Sequence, residues 1–386
     1  MRVESRGRKG SLPGAEDATM RRAAAAGRHR PWADGWGRRD FLRAAGRGLV
    51  GFGLLGARGW GGGSARSGGP PSGRTRLALA RGGDRREIVF KSLKLVEDDV
   101  WAAIDRKKRV LIKPNMAVDK NPLAVTHVDA VRAVLEFLRP LCRKPIVVAE
   151  SGVLNTGDGF RNNGYAALER EFRVPVVDLN AKPEFGLSYV VDKDHIPRAI
   201  RVYSAFVDPD TCVISLAPMK THDTVLVTLS LKNVLMAAPV NDYRKSDKGI
   251  LHGSVKSLDD VMHYNLFHLA ERGIWPELAV IDGFESMEGH GPAWGTPLAT
   301  RLALASADPL AADVAGTTIM GFDPERILYL KAMTDAGMGQ GDLARVQIVG
   351  DRLDECRFKF KIHKEMADIY QLTDRVGAVP RPEEGA

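Results

Sequence analysis

A chain of 386 residues, 44% hydrophobic and 27% charged, has the composition of an ordinary globular protein, with no run long enough to cross a bilayer as a helix of the mature domain. Its net charge of +8 invites a nucleic-acid reading, yet residues 1–80 hold 16 of the 56 Lys+Arg and only 5 of the 48 Asp+Glu. Residues 81–386 carry 40 basic against 43 acidic side chains, so bulk charge gives no support to the basic domain surface that counterion release requires, and no nucleic-acid partner is expected.

The N-terminal basicity belongs to a leader. Residues 1–37 are rich in Arg, Gly and Ala without an apolar period. Gly37-Arg38-Arg39-Asp40-Phe41-Leu42-Arg43 comes next, then a short Gly-softened apolar stretch from Gly48 to Gly56. Paired arginines, a Phe-Leu two residues on and such an apolar segment make a twin-arginine signal. This reading implies export of the folded protein by the twin-arginine translocation machinery, with the mature chain periplasmic or otherwise outside the cytoplasmic membrane. Met20 is an alternative start, and cleavage is readable at Gly56-Ala57 or at Ala78-Leu79-Ala80. The expected organisation is a leader over 1–57, a Gly/Ser/Arg-rich linker over 58–84, one α/β domain over 85–375 and a disordered tail over 376–386.

Within the domain, apolar strand-like runs alternate with amphipathic helices. Val110-Leu111-Ile112 reads as a strand ending at Lys113-Pro114-Asn115. Thr126 to Leu138 reads as a helix, with Thr126 as N-cap and His127 serving the same terminus. Strands follow at Pro145–Ala149 and Val174–Asp178, with a helix around Gly164–Phe172 between them. Phe185–Phe206 looks like a β-hairpin arm. Later strands are Cys212–Leu216, Thr224–Leu229, Leu278–Ile281 and Leu302–Ala305. Pro239–Lys256 reads as a polar loop, Leu258–Arg272 as a helix capped by Ser257, and Asp308-Pro309 as the start of a helix stopped by Gly321. Strand–helix–strand at this spacing predicts a mainly parallel sheet flanked by helices, with a β-arm insertion.

Ligands of open parallel sheets bind beyond the carboxyl ends of the strands, so polar residues placed there are the candidates. They are Lys113 and Asn115, Glu150 and Ser151, Lys220, Thr221 and His222, Lys232 and Asn233, and Asp282, Glu285 and Glu288. Lysine is strongly hydrated and seldom sits at a sheet end without a counter-charge. Three of them there indicate either a site for a small anionic ligand or an ion-pair cluster with Glu150, Asp282 or Glu288. His222 is the candidate acid/base, and Asp282 the candidate base or orienting group. Asp313, among small apolar neighbours within a helix, either meets a buried partner or faces a pocket. A metal held by His222 and His252 with Asp282 or Glu288 is the competing reading. Cys142, Cys212 and Cys356 are far apart with no CxxC spacing, so no iron–sulfur cluster held by local cysteines is expected.

Five stretches taken together carry a resemblance. They are Leu111–Asn115, Pro218-Met219-Lys220-Thr221-His222, Leu229-Ser230-Leu231-Lys232-Asn233, Ile281-Asp282-Gly283 with Glu288–Pro292, and Ala305–Pro309 with Asp313 and Met320-Gly321-Phe322. In this order, over roughly residues 108–340, the chain resembles the family called domain of unknown function 362. The family's recurring polar positions fall on Lys113, Asn115, Lys220, His222, Lys232, Asn233, Asp282 and Asp313. Some members carry a ferredoxin-like iron–sulfur module, which implies redox chemistry nearby. This chain lacks the cysteines for that module.

Overall fold

A computed structural model of the chain describes residues 74–252, 261–367 and 370. The twin-arginine motif, the linker before residue 74, the Ser257 cap and the tail lie outside the described residues.

Strand β1, Arg76–Arg81, opens the fold. Asp84 then caps helix α1, Arg85–Leu95, accepting from the Glu87 amide, and α2 follows at Glu97–Asp105. Five parallel strands form the centre of the sheet: β2 (Arg109–Lys113), β3 (Ile146–Glu150), β4 (Val176–Asp178), β7 (Thr211–His222) and β9 (Leu278–Glu288). The hairpin β5 (Phe185–Val191) and β6 (Pro197–Tyr203) stands apart as a two-stranded sheet, the expected arm. Short β8 (Leu226–Thr228) and β10 (Thr296–Leu298) fold back on β7 and β9. With β11 (Leu302–Ser306) and β12 (Gln347–Gly350), the order across the ten-stranded sheet is β12-β1-β11-β9-β7-β2-β3-β4. On this path only β11 runs against its neighbours β9 and β1. The class is therefore mixed α/β with a mostly parallel sheet flanked by helices, as the alternating pattern predicts.

Alternation along each strand divides the apolar residues between two cores. Leu79, Leu111, Val213 and Ile281 face one, together with helix α6 (Ser230–Leu235), α8 (Val261–Glu271) and α9 (Pro309–Ile319). Ala80, Ile112, Ile214 and Val280 face the other, together with α1, α2 and helix α3 (Val128–Leu138). At α9 the sequence signals hold: Asp308 accepts from the Leu310 and Ala311 amides at 3.1 Å, and Gly321 takes φ +86° just past the end. At α3 the cap shifts by one residue. His127 Nδ1 accepts from the Asp129 amide at 3.2 Å, while the Thr126 hydroxyl is used on the Leu216 carbonyl at 2.7 Å.

The expected domain start at residue 85 is corrected. Four residues of β1, Leu77 to Ala80, are fully buried and lie inside what composition marks as linker. Ala78-Leu79-Ala80 pairs with β11 on one side and β12 on the other, so cleavage there would cut a built-in strand. A six-residue strand beside a Gly- and Arg-rich stretch is too short to shift local composition, which hid it. A chain starting at Arg85 is expected to lose about 3–6 kcal/mol from burial of Leu77 and Leu79 alone, while one starting at Arg74 keeps full stability. Urea denaturation of the two truncated chains measures the difference; equal midpoints would show that β1 is dispensable.

Candidate functional site

The parallel strands bring their last residues to one edge. Lys113 ends β2, Glu150 ends β3, and Lys220 and His222 end β7. β7 is longer than its neighbours because it turns directly into β8, pairing Lys220 with Thr228 and His222 with Leu226. The expected strand Thr224–Leu229 is this short antiparallel return. It leads at once into α6 and carries Lys232 and Asn233 back over the end of β2. Non-local residues thus meet: Lys113 Nζ donates to Asn233 Oδ1 at 2.6 Å and pairs with Glu150 at 2.9 Å. Asn115 donates to the same Asn233 oxygen at 3.0 Å and accepts from Lys220 Nζ at 3.0 Å. Asn233 in turn donates to the Lys113 carbonyl and the Ser215 hydroxyl.

A fourth lysine completes the cluster and was missed in the sequence. Lys248 begins helix α7 (Lys248–Leu251), inside the segment read as a polar loop. Its amine is buried and donates to the Met236 carbonyl at 2.7 Å and to Ser151 Oγ at 3.1 Å. A lysine in a polar stretch reads as solvated unless its neighbours in space are known.

The counter-charge is sparse. Glu150 is the buried carboxylate that pairs with Lys113, and it is shared with the Met116 and Ser151 amides. Lys220 finds three neutral oxygens instead: Asn115 Oδ1, the Ala124 carbonyl at 2.6 Å and the Pro292 carbonyl at 3.1 Å. Lys232 is only 7% exposed and makes no side-chain hydrogen bond or ion pair among the described residues. Burial pulls down the pKa of all four. That of Lys113 falls despite Glu150, and that of Lys220 falls well below the lysine range, with Lys232 and Lys113 adding repulsion. Burial brings Lys232 and Lys248 each down to about 7, against the opposing attraction of Asp223 and Glu150 respectively. Three acceptors around one amine nonetheless match the three N–H groups of an ammonium at Lys220.

His222 is buried within electrostatic reach of Lys232 and Lys220. Its Nδ1 accepts from the Thr224 amide at 3.0 Å and lies 3.1 Å from the Asp223 carboxylate. Burial, then the charge of Lys232, holds its pKa well below the usual histidine range. The His252 ring lies 6.3 Å from it, nearly parallel.

Two candidate carboxylates belong elsewhere. Asp282 is buried at the opposite face of the sheet, 3.1 Å from Arg85 of α1, and accepts from the Phe284 amide. It is a structural ion pair rather than a base for this pocket. Asp313 is fully buried on α9 and accepts from the Ser230 and Leu231 amides at 2.8 and 2.9 Å. It satisfies the first turn of α6, whose own preceding residue, Leu229, has no side chain able to cap. Burial pushes its pKa up to about 8. Glu288, the other carboxylate of the metal reading, holds the Lys361 amine at 3.0 Å and its amide at 2.8 Å. Among the described residues no group of three His, Cys, Asp or Glu is placed to hold a metal.

The fold places the chain in the mixed α/β class, with buried lysines gathered beyond the carboxyl edge of a mostly parallel sheet. Within that class this chain belongs to the family described as domain of unknown function 362, which its residues 110–318 match. It is similar to a thylakoid-associated protein of Synechocystis sp., 28% identical over 233 residues that cover 60% of this chain and 68% of the relative. Among solved structures it matches a crystal structure of a protein from Thermotoga maritima at 13% identity and a TM-score of 0.39. That match covers 67% of this chain and 59% of the other, less than two thirds of its length.

The assignment of Asp313 is checked by stability. Asp313→Asn turns one of its two acceptors into a donor facing an amide N–H, an expected loss of about 1–3 kcal/mol in urea denaturation. An unchanged midpoint would mean that those amides do not need the carboxylate.

Proposed function

We propose that the chain is an exported protein that binds a small anionic organic ligand, bearing phosphate or carboxylate, beyond the carboxyl ends of its sheet, and acts on it as an enzyme. The observation that carries this is the charge imbalance of the pocket: four buried lysines gather around one buried carboxylate, and the Lys232 amine has no partner among the described residues. Two ammonium groups ~4 Å apart repel by about 4 kcal/mol at an effective dielectric near 20. An anion reverses that term, whereas a divalent cation adds to it. The pocket also offers proton-transfer groups beside the cations, the imidazole of His222 and an amine at Lys232 that titrates near neutrality. His222→Gln separates the enzymatic reading from a non-catalytic binding or assembly role, since only an enzyme loses turnover while keeping its ligand.

The pH dependence has a definite sign. Lys232 and Lys248 titrate at about 7 in the fold, against 10.5 for an ordinary lysine. Between these values the unfolded chain holds protons that the fold has released, so each lysine makes the ligand-free fold more stable as pH rises and less stable as pH falls through 7. An anion favours the protonated amines. Calorimetric titration with oxalate or inorganic phosphate is therefore expected to show proton uptake, and affinity that weakens as pH climbs through 7. Lys232→Met should weaken binding at least ten-fold, about 1.4 kcal/mol. Binding that ignores both pH and Lys232 would remove the proposal's basis.

Export is the second part. It is supported by Arg38-Arg39 with Phe41-Leu42 and the Gly48–Gly56 stretch. Arg38→Lys with Arg39→Lys is expected to leave the folded protein in the cytoplasmic fraction; unchanged export of the double variant would refute the signal.

A further inference from the structure

Lys232 differs from the other three lysines in what its amine does. Lys220 and Lys248 each spend their donors on three oxygens, and Lys113 is engaged by Glu150 and Asn233. Lys232 is more than nine-tenths buried, sits mid-helix on α6 facing this cluster, and makes no side-chain hydrogen bond among the described residues. Its charge is the one that Lys220, His222 and His252 all feel most strongly after burial. It is therefore the hub of the pocket. A structural lysine buried at this depth would be satisfied by acceptors, as its three neighbours are. A lysine set this deep, without a protein partner among the described residues and beside other cations, is the arrangement that leaves an amine free as a nucleophile.

We infer that Lys232 is a covalent site, condensing through its ε-amine with the carbonyl of a small aldehyde or keto compound whose anionic group is held by the surrounding lysines. This rests on the anion-binding reading and narrows the ligand to an anionic carbonyl compound. The amine lone pair adds to the carbonyl carbon, and the C=O π pair moves to oxygen, which is protonated. The nitrogen gives up one proton, forming a neutral carbinolamine. Loss of the hydroxyl group as water, with the remaining N–H proton, leaves the C=N bond. One amine and one carbonyl thus yield one imine and one water, with no change of oxidation state. The His222 imidazole, within electrostatic reach of Lys232 and paired at Nδ1 with Asp223, would relay the proton from the nitrogen to the departing oxygen. The remaining donor of Lys113 and the charge of Lys220 would hold the carboxylate or phosphate.

The test uses the full-length protein with glyoxylate, which joins an aldehyde to a carboxylate, and cyanoborohydride to reduce any imine to a stable secondary amine. Peptide mapping by mass spectrometry is expected to find carboxymethyl-lysine at Lys232. Its rate at pH 7 should exceed that of the solvent-exposed lysines by roughly ten-fold or more, because an amine with a pKa of about 7 is about half unprotonated there, whereas an ordinary lysine is almost wholly protonated. Oxalate, which carries the charge without a reactive carbonyl, should slow it, and Lys232→Arg should abolish it with an unchanged circular dichroism spectrum. Should the arginine variant not fold, the position and rate of labelling in the wild-type chain decide the matter. Label spread evenly over surface lysines, or none at all while oxalate still binds by calorimetry, would overturn the imine and leave the anion site standing. Absence of both labelling and oxalate binding would overturn both.

Discussion

Four lysine side chains are buried at one edge of a parallel sheet, and the surrounding structure is arranged to make that tolerable. An ammonium group loses several kcal/mol of hydration on burial, and three of the four find oxygen within the protein. Glu150 serves Lys113, and the amide side chains of Asn115 and Asn233 link Lys113 to Lys220. The carbonyls of Ala124 and Pro292 serve Lys220, and those of Met236 and Ala237 serve Lys248. These oxygens come from segments far apart in the chain, so the loops beyond the sheet edge are tied together through the lysines.

The geometry of β7 and α6 follows from the same need. β7 runs to His222 before folding back through β8, and only that return places Lys232 and Asn233 over the end of β2. Close approach of the Gly289–Pro292 loop to β7 depends on Gly291, where a Cβ would lie 2.0 Å from the Thr221 carbonyl oxygen. That approach brings the Pro292 carbonyl to Lys220. The short helix α6 has no cap of its own, and Asp313 reaches across from α9 to supply it. Asp313 therefore sets the position of Lys232 without entering the pocket, and this accounts for a buried carboxylate among small apolar neighbours.

Much of this was legible in the sequence. Apolar runs at crossover spacing gave the parallel strands, because period and length are local properties that survive packing. Polar residues after those runs marked the candidate edge, because parallel strands all end there, although alternation divides such residues between the two faces. Lys113, Asn115, Lys220, His222, Lys232 and Asn233 were all identified this way. β1 was not, since a strand of six residues beside a Gly/Arg-rich stretch has no distinctive composition, and its place beside β11 is a pairing across more than two hundred residues.

Partnership is what the sequence could not assign. Asp282 after a strand and Asp313 within a helix look alike as lone carboxylates, yet one meets Arg85 on the far face of the sheet and the other caps a distant helix. Lys248 looks solvated and is buried. Electrostatics depends on distance and burial, both set by contacts between segments far apart in the chain. The sequence by itself determined which residues could stand at the carboxyl edge. Tertiary structure decided which of them are neutralised and which amine, that of Lys232, is left without a partner among the described residues.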